Sequence, residues 1–300
     1  MATTLRPAPD RLQSASKTRP VQGAARIRKR ITNLLVHVAL LLGSAVMILP
    51  FFWMISTALK SPLEAAASEP VWWPATLQWQ NFHLAWDAQP LWGRFFVNSF
   101  VITALTVIAE VALATMAAYA FSRIQFWGKE LLFTVLLSTM MIPGEVLLIP
   151  NFITIANLGW IDTYLALVIP WAVSVFGIFL LRQHFLQIPT ELQEAAYLDG
   201  AGHLRFLVTC VIPLSRPAIA TVMLLKFVAS WNSFLWPLVV TNRPEMRTVQ
   251  IGLNSFLQES GTQYQLMMAA ATVTLIPVVA VFLAAQKHFL ESVAKSGLKG

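Results

Sequence analysis

The sequence predicts an all-α membrane protein with six transmembrane helices and one long cytoplasmic loop. Three observations carry this. Only 12% of the 300 residues are charged and 57% are hydrophobic, where a soluble domain has roughly 25% charged. Six apolar stretches approach the ~20 residues a helix needs to cross hydrocarbon. The Lys and Arg residues outside these stretches divide unevenly between the two sides, 16 against four.

Taken in order, the first 33 residues hold eight of the 21 Lys and Arg. Residues 1–30, rich in Ala, Arg, Pro, Ser and Thr, read as a disordered basic tail beside anionic lipid. The apolar run Asn33–Leu59 exceeds the roughly 7–15 residues of a signal h-region, so it reads as a retained span. The spans fall at roughly 33–57, 96–121, 131–154, 163–181, 217–240 and 265–286. Together they make a six-span domain over 31–290, followed by a cytoplasmic C-terminal tail over 291–300.

With the N-terminus inside, only Lys60, Arg94, Arg243 and Arg247 lie outside, and Lys226 lies within a span. The positive-inside rule then puts both termini in the cytoplasm of a multi-pass cell-membrane protein.

Several function classes are excluded as expectations. The net charge of +7 sits mainly in the tail, which argues for lipid and against nucleic acid. The single cysteine, Cys210, permits no intrachain disulfide, and the five histidines lack zinc spacing, so no metal is expected. No G-x-x-x-x-G-K-[ST] motif occurs: Gly128-Lys129 has Arg123 where the first glycine belongs. No nucleophile triad or paired carboxylates fall on one side of the membrane. No catalytic residue and no cofactor on this chain are expected.

The informative stretch is "ELQEAAYLDGAGHLRFLVTCVIPLSRPA", within a cytoplasmic loop over about 183–216. Thr190 and Gln193 have capping-box spacing, and a helix is expected over Glu191–Leu198. Ala195 and Ala196 present almost no side chain, while Leu192 and Tyr197 give apolar surface. Asp199-Gly200 signals a turn, and Gly202 loosens the chain further. A second helical pattern, Leu204–Val211, leads to Pro213 and Pro217, which mark a start or kink of the fifth span. A plain connection needs about 2–8 residues; this one has roughly 35. The stretch therefore reads as a preorganised docking helix with a small-residue face. The competing reading, a helix lying on lipid, favours bulky anchors and a basic rim.

Other residues stand out within the spans. Glu110 and Lys226 are ionisable groups at membrane depth, where an unpaired charge costs at least ~2.5–3.5 kcal/mol. They read as a buried pair, against a polar pore wall or a snorkelling Lys226. Asn232 and Trp236 are spaced one helical turn apart, as an amide and an aromatic face for a sugar or as helix–helix glue. Pro143-Gly144 breaks the third span, as a pore lining or a simple kink. The external segment 58–95 holds Trp72, Trp73, Trp79, Trp86 and Trp92, an interfacial belt or a docking surface.

Glu194-Ala195-Ala196, three residues, Gly200, nine more, a hydrophobic position and Pro213 resemble the EAA loop of ABC importer permeases. "EAAYLDGAG", with Asp199-Gly200-Ala201-Gly202, is most similar to the carbohydrate-uptake, maltose-type (MalG-like) branch. Cys210 stands where the motif usually has isoleucine, and Ile212 where it usually has leucine. The resemblance spans roughly 33–300 through "KSPLEAAASEPVWWP", "VNSF", "AYAFSRIQFWGK", "MIPGEVLLIPNF", "WNSFLWPL" and the ending "QKHFLESVAKSGLKG".

The resemblance implies one half of a membrane pore. A second permease supplies the other half, two ATPase subunits that bind ATP and Mg dock on the loops, and an extracytoplasmic solute-binding protein delivers a sugar. It implies that Glu194 presents a charge to the ATPase, that Asp199 is a turn-stabilising acceptor, and that Gly297–Gly300 reach the ATPase interface. A permease for glycerol phosphate or a polyol shares these features. An ion-coupled secondary transporter is the rival of another class, but it usually shows repeated halves and intramembrane carboxylates.

Overall fold

The computed structural model describes residues 22–257 and 262–297. All regular structure among them is helical. The chain divides into two compact units at Trp53/Met54.

The first unit is the greater part of one helix, Gln22–Ala58. Residues 29–52 are exposed along its whole length. Leu34, Leu41 and Met47 are 64%, 70% and 73% exposed, a surface that only an apolar medium or partner can cover. The helix begins inside the tail expected to lack structure, so 22–30 correct that expectation. Ala24, Ala25, Arg26, Arg28, Lys29 and Arg30 are good helix formers, and they extend the span by propagation, which needs no new nucleus. Residues 1–21 lie outside the described residues.

In the second unit, Trp92–Arg123 and Tyr264–Gln286 are long and apolar enough to cross a membrane, as is Lys29–Ala58. Three further helix pairs pass the same test but are bent: Lys129–Met141 with Gly144–Asn157 by 91°, Tyr164–Trp171 with Val175–Leu186 by 44°, and His203–Leu214 with Arg216–Trp231 by 81°. The described residues thus hold three crossing helices, or up to six if each pair is one span.

The bends follow from the sequence. Pro143 follows Ile142 at the first, and a proline keeps the preceding residue out of the helical region. Ser174 caps the helix after the second, its Oγ accepting from Gly177 N–H at 3.0 Å. At the third, Pro217 has no N–H to donate to the carbonyl four residues back, on Pro213. The helix stops at Leu214 and restarts at Arg216.

A further expectation is corrected. The fifth stretch, 217–240, is not a continuous helix. It ends at Trp231, Asn232 caps it, and a separate helix runs Leu235–Val240. Asn232 and Trp236 therefore do not share one helical face. The run "WNSFLWPL" is apolar enough to read as continuous, but Pro237 cannot donate to the carbonyl of Ser233, where the helix has just broken.

The Trp92–Arg123 helix is the spine. It buries Ala114, Ala118 and Tyr119 against Ile178, Leu181, Phe185, Phe206, Val211 and Val222. Its other end packs Trp92 and Phe95 with Trp231, Val249 and Ala269. Small residues at 114 and 118, one turn apart, let neighbouring backbones approach closely.

Candidate functional site

The loop helix runs Thr190–Leu198. The capping box expected from Thr190 and Gln193 does not form. Pro189 occupies the cap position, with φ −55° and ψ 140° and no side-chain hydrogen bond. Thr190 is already helical, and the Gln193 amide donates instead to Tyr197 Oη at 2.9 Å.

The far end is closed by a Schellman motif. Gly200 has φ +79°. Gly200 N–H donates to Tyr197 O at 3.0 Å and Ala201 N–H to Ala196 O at 2.9 Å. A left-handed φ favours glycine, which accounts for Gly200. Among the described residues the Asp199 carboxylate accepts no hydrogen bond. The turn is closed by backbone alone, so the acceptor role expected of Asp199 is not seen.

Glu194, Ala195, Asp199, Gly200 and Gly202 are exposed, and Ala196 and Ala201 are half-buried. Leu198 and Leu204 are 90% and 71% exposed. The surface is thus small, acidic and apolar in patches. Beneath it the segment is firmly anchored. Phe206 and Val211 are fully buried. Tyr119 Oη lies 3.0 Å and Tyr197 Oη 2.7 Å from His203 Nδ1, joining the loop helix to the spine. The Arg123 guanidinium donates to the carbonyls of Phe185 and Ile188 just before the loop helix. Residues 207–211 form a π-helical turn ahead of the exposed Pro213.

The two ionisable residues meet. Lys226 Nζ lies 3.5 Å from Glu110 Oε2, with side chains 14% and 1% exposed. Ser174 Oγ–H donates to Glu110 Oε1 at 2.6 Å. Glu110 Oε2 has no hydrogen-bond partner of its own.

Lys226 lines a cavity of about 190 Å³ with Ser99, Thr106, Ser233, Trp236 and Thr248. A second, wider hollow of about 440 Å³ is lined by Gly144, Glu145, Trp171, Asn232, Ser233 and Trp236. The structure therefore brings Gly144, Asn232 and Trp236 to one wall despite the broken helix; Pro143 does not line it. Trp236 is buried and its Nε1–H donates to Ala166 O at 2.9 Å. Asn232 Oδ1 accepts from Gln250 Nε2 at 3.2 Å.

Residues 110–295 match the family model described as "Binding-protein-dependent transport system inner membrane component". The chain belongs to this family. It is a membrane-embedded permease subunit of an ABC importer. It is 33% identical over 275 residues to the sn-glycerol-3-phosphate transport system permease protein UgpE of Yersinia enterocolitica, covering 89% of this chain and 98% of that one. It is 31% identical over 227 residues to the arabinooligosaccharides transport system permease protein AraQ of Bacillus subtilis, covering 76% and 81%. In fold it is similar to a chain of a bacterial ABC transporter for alginate import, with TM-score 0.76, 24% identity and coverage of 87% and 98%.

Several residues of the permease that matter structurally were not singled out from sequence. Asn98, fully buried in "VNSF", donates through Nδ2 to Glu245 O at 2.7 Å and Arg247 O at 2.9 Å, and accepts from Tyr164 Oη at 2.8 Å. Its neighbour Ser99 accepts from Val249 N–H at 2.9 Å. Arg182 lies 3.2 Å from Glu130 and over the Phe133 ring. Glu145 was legible as an acidic residue in the apolar run "MIPGEVLLIP". Of the five tryptophans in segment 58–95, Trp72, Trp73, Trp79 and Trp86 are exposed, whereas Trp92 is buried with Nε1–H donating to Ala85 O at 2.8 Å. Gly297 ends the last helix, and Leu298, Lys299 and Gly300 lie outside the described residues.

Proposed function

We propose that this permease moves a sugar or a related polyol solute inward, driven by ATP hydrolysis in a partner. Its six spans have both termini in the cytoplasm. The tails are 1–30 and 291–300, and the segment 183–216 is a cytoplasmic coupling loop. Two ATPase subunits, which hold the ATP and Mg, dock on Glu194, Ala195, Ala196 and the Asp199–Gly202 turn. A second permease completes the pore, and an extracytoplasmic protein delivers the solute. The chain itself performs no catalysis.

One observation carries this reading: a short exposed helix with a small-residue face, closed by Gly200 and fixed to the spine through His203, Phe206 and Val211. A rigid surface helix wired to a membrane helix transmits force, which a plain connection has no need to do. The Lys and Arg asymmetry, 16 against four, supports the orientation. The solute class is supported by relatives named for arabinooligosaccharides and for glycerol 3-phosphate.

The test is uptake of labelled oligosaccharides and of sn-glycerol 3-phosphate in cells carrying wild type or Gly200→Asp, with co-purification of the ATPase. Loss of both uptake and the ATPase, with normal membrane insertion, is expected. Uptake that persists without the ATPase returns the secondary-transporter reading.

A further inference from the structure

Two hydroxyls from different elements share one ring nitrogen. His203 opens the short helix His203–Phe206, just past the Gly200 turn. Its Nδ1 lies 2.7 Å from Tyr197 Oη on the loop helix and 3.0 Å from Tyr119 Oη on the spine. A ring nitrogen carries either one lone pair or one N–H in the ring plane, so it serves one hydroxyl fully at a time. The two hydroxyls also interact with each other. Two arrangements therefore satisfy every O–H. In one, Tyr197 donates to Nδ1 and Tyr119 donates to Tyr197 Oη. In the other, Tyr119 donates to Nδ1 and Tyr197 donates to Tyr119 Oη. The Gln193 amide, 2.9 Å from Tyr197 Oη, fits both, because the phenol oxygen accepts while its proton is given away.

The surroundings favour exchange over a static bond. Tyr119 is 4% exposed, so its O–H cannot turn to water and needs a partner within the cluster. Both tyrosine rings meet His203 edge-on, at 6.0 and 5.4 Å, and both also lie against Phe206. Phe206 is fully buried and gives the three rings a fixed floor. The two tyrosines ride on different bodies. Tyr119 belongs to the spine, where Arg123, one turn on, grips the carbonyls of Phe185 and Ile188. Tyr197 belongs to the loop helix. Between Tyr197 and His203 lies the Asp199–Gly202 turn, closed by backbone hydrogen bonds alone. A turn of that kind, with glycine at 200 and 202, can absorb a tilt of the helix before it.

We infer that His203 is a positioning residue that passes its Nδ1 from Tyr197 to Tyr119 when the loop helix is displaced. The helix and the spine then stay linked in both states of the transport cycle. The shorter contact, to Tyr197, marks the undisplaced arrangement. The inference rests on the importer reading and adds the joint through which the displacement passes.

The test reads the distance between nitroxide labels at Glu191→Cys on the loop helix and Phe100→Cys on the spine, both exposed. It uses the whole purified importer with Cys210→Ser and the partner subunits' cysteines replaced. Dipolar spectra are taken without nucleotide and with ATP, Mg and vanadate. The otherwise unchanged chain gives one narrow distance in each state, and the two distances differ. Tyr197→Phe broadens the nucleotide-free distribution only, and Tyr119→Phe the nucleotide-bound one only. His203→Leu keeps the bulk without the nitrogen and broadens both. His203→Asn, whose amide oxygen stands in for Nδ1, narrows them again. The ATPase co-purifies with all four variants. The handover is overturned by equal effects of the two tyrosine variants in both states, by His203→Leu without effect, or by no rescue from His203→Asn. Loss of the ATPase from His203→Leu, or a distance that nucleotide does not move while the ATPase is attached, also overturns it. The Gly200→Asp uptake assay reports separately. Uptake and ATPase lost there, with tyrosine variants that do not differ, refutes the handover alone. Uptake kept there without the ATPase refutes the importer reading.

Discussion

Gly177 leaves the space that Glu110 occupies: a Cβ on Gly177 would stand 2.2 Å from Glu110 Oε1. The carboxylate cannot yield easily, because Ser174 holds the same oxygen at 2.6 Å. Gly177→Ala is therefore expected to destabilise by about 1–3 kcal/mol through overpacking. Gly93, which has nothing within 4 Å of an added Cβ, is the control; Gly93→Ala is expected to be neutral or stabilising by up to ~1 kcal/mol. Thermal unfolding of both variants in detergent checks the contrast. Equal melting temperatures contradict it.

The Glu110–Lys226 contact is tested by a double-mutant cycle. Lys226→Met leaves a sealed carboxylate without its cation and is expected to cost about 3–5 kcal/mol. Lys226→Met with Glu110→Gln removes both charges and recovers much of that loss. Additive losses in unfolding experiments show that the two residues do not interact.

Asn98 makes three side-chain hydrogen bonds while fully buried. Asn98→Leu strands the carbonyls of Glu245 and Arg247 and is expected to cost about 1–3 kcal/mol. The loss is local, so proteolytic cutting near 242–249 rises in the variant. Unchanged cutting rejects the anchoring role.

Acid pH is expected to loosen the segment 61–75. Glu64 accepts from Ala75 N–H at 2.9 Å and closes a capping box with Ser61. These N–H donors, Ala75 first, hold its carboxyl below the ordinary value of 4.5. A lowered carboxylate pKa stabilises the folded form above the unfolded value, and that contribution is lost as pH falls through the folded one. Pepsin nicking of the segment is expected to rise over that range in wild type. Glu64→Gln already lacks the carboxylate and shows a flat profile. Matching profiles contradict the assignment.

The helices were legible in the apolar runs, and the bend at 143–144 in Pro143-Gly144. The loop helix was legible in its small residues and in the turn at Asp199-Gly200. What the sequence hid depends on distance or on local competition. Thr190 and Gln193 have capping-box spacing, but Pro189 takes the cap position and Tyr197 takes the glutamine amide. Asn98 gives no sign that its partners lie 147 and 149 residues away. Glu110 and Lys226 draw notice as ionisable groups at membrane depth, whereas Ser174 and Gly177, which shape the pocket around the carboxylate, carry no charge. The break at Asn232 lies within an apolar run, so hydrophobicity alone could not find it.

The most direct measurement attaches a benzophenone maleimide to Ala195→Cys in the Cys210→Ser chain and irradiates the assembled importer. Ala195 is exposed on the loop helix. A photoadduct with the ATPase subunit, its yield changing when ATP and Mg are added, is the predicted result. Adducts with lipid alone, or with the extracytoplasmic protein, while uptake continues, would contradict the coupling role of this loop.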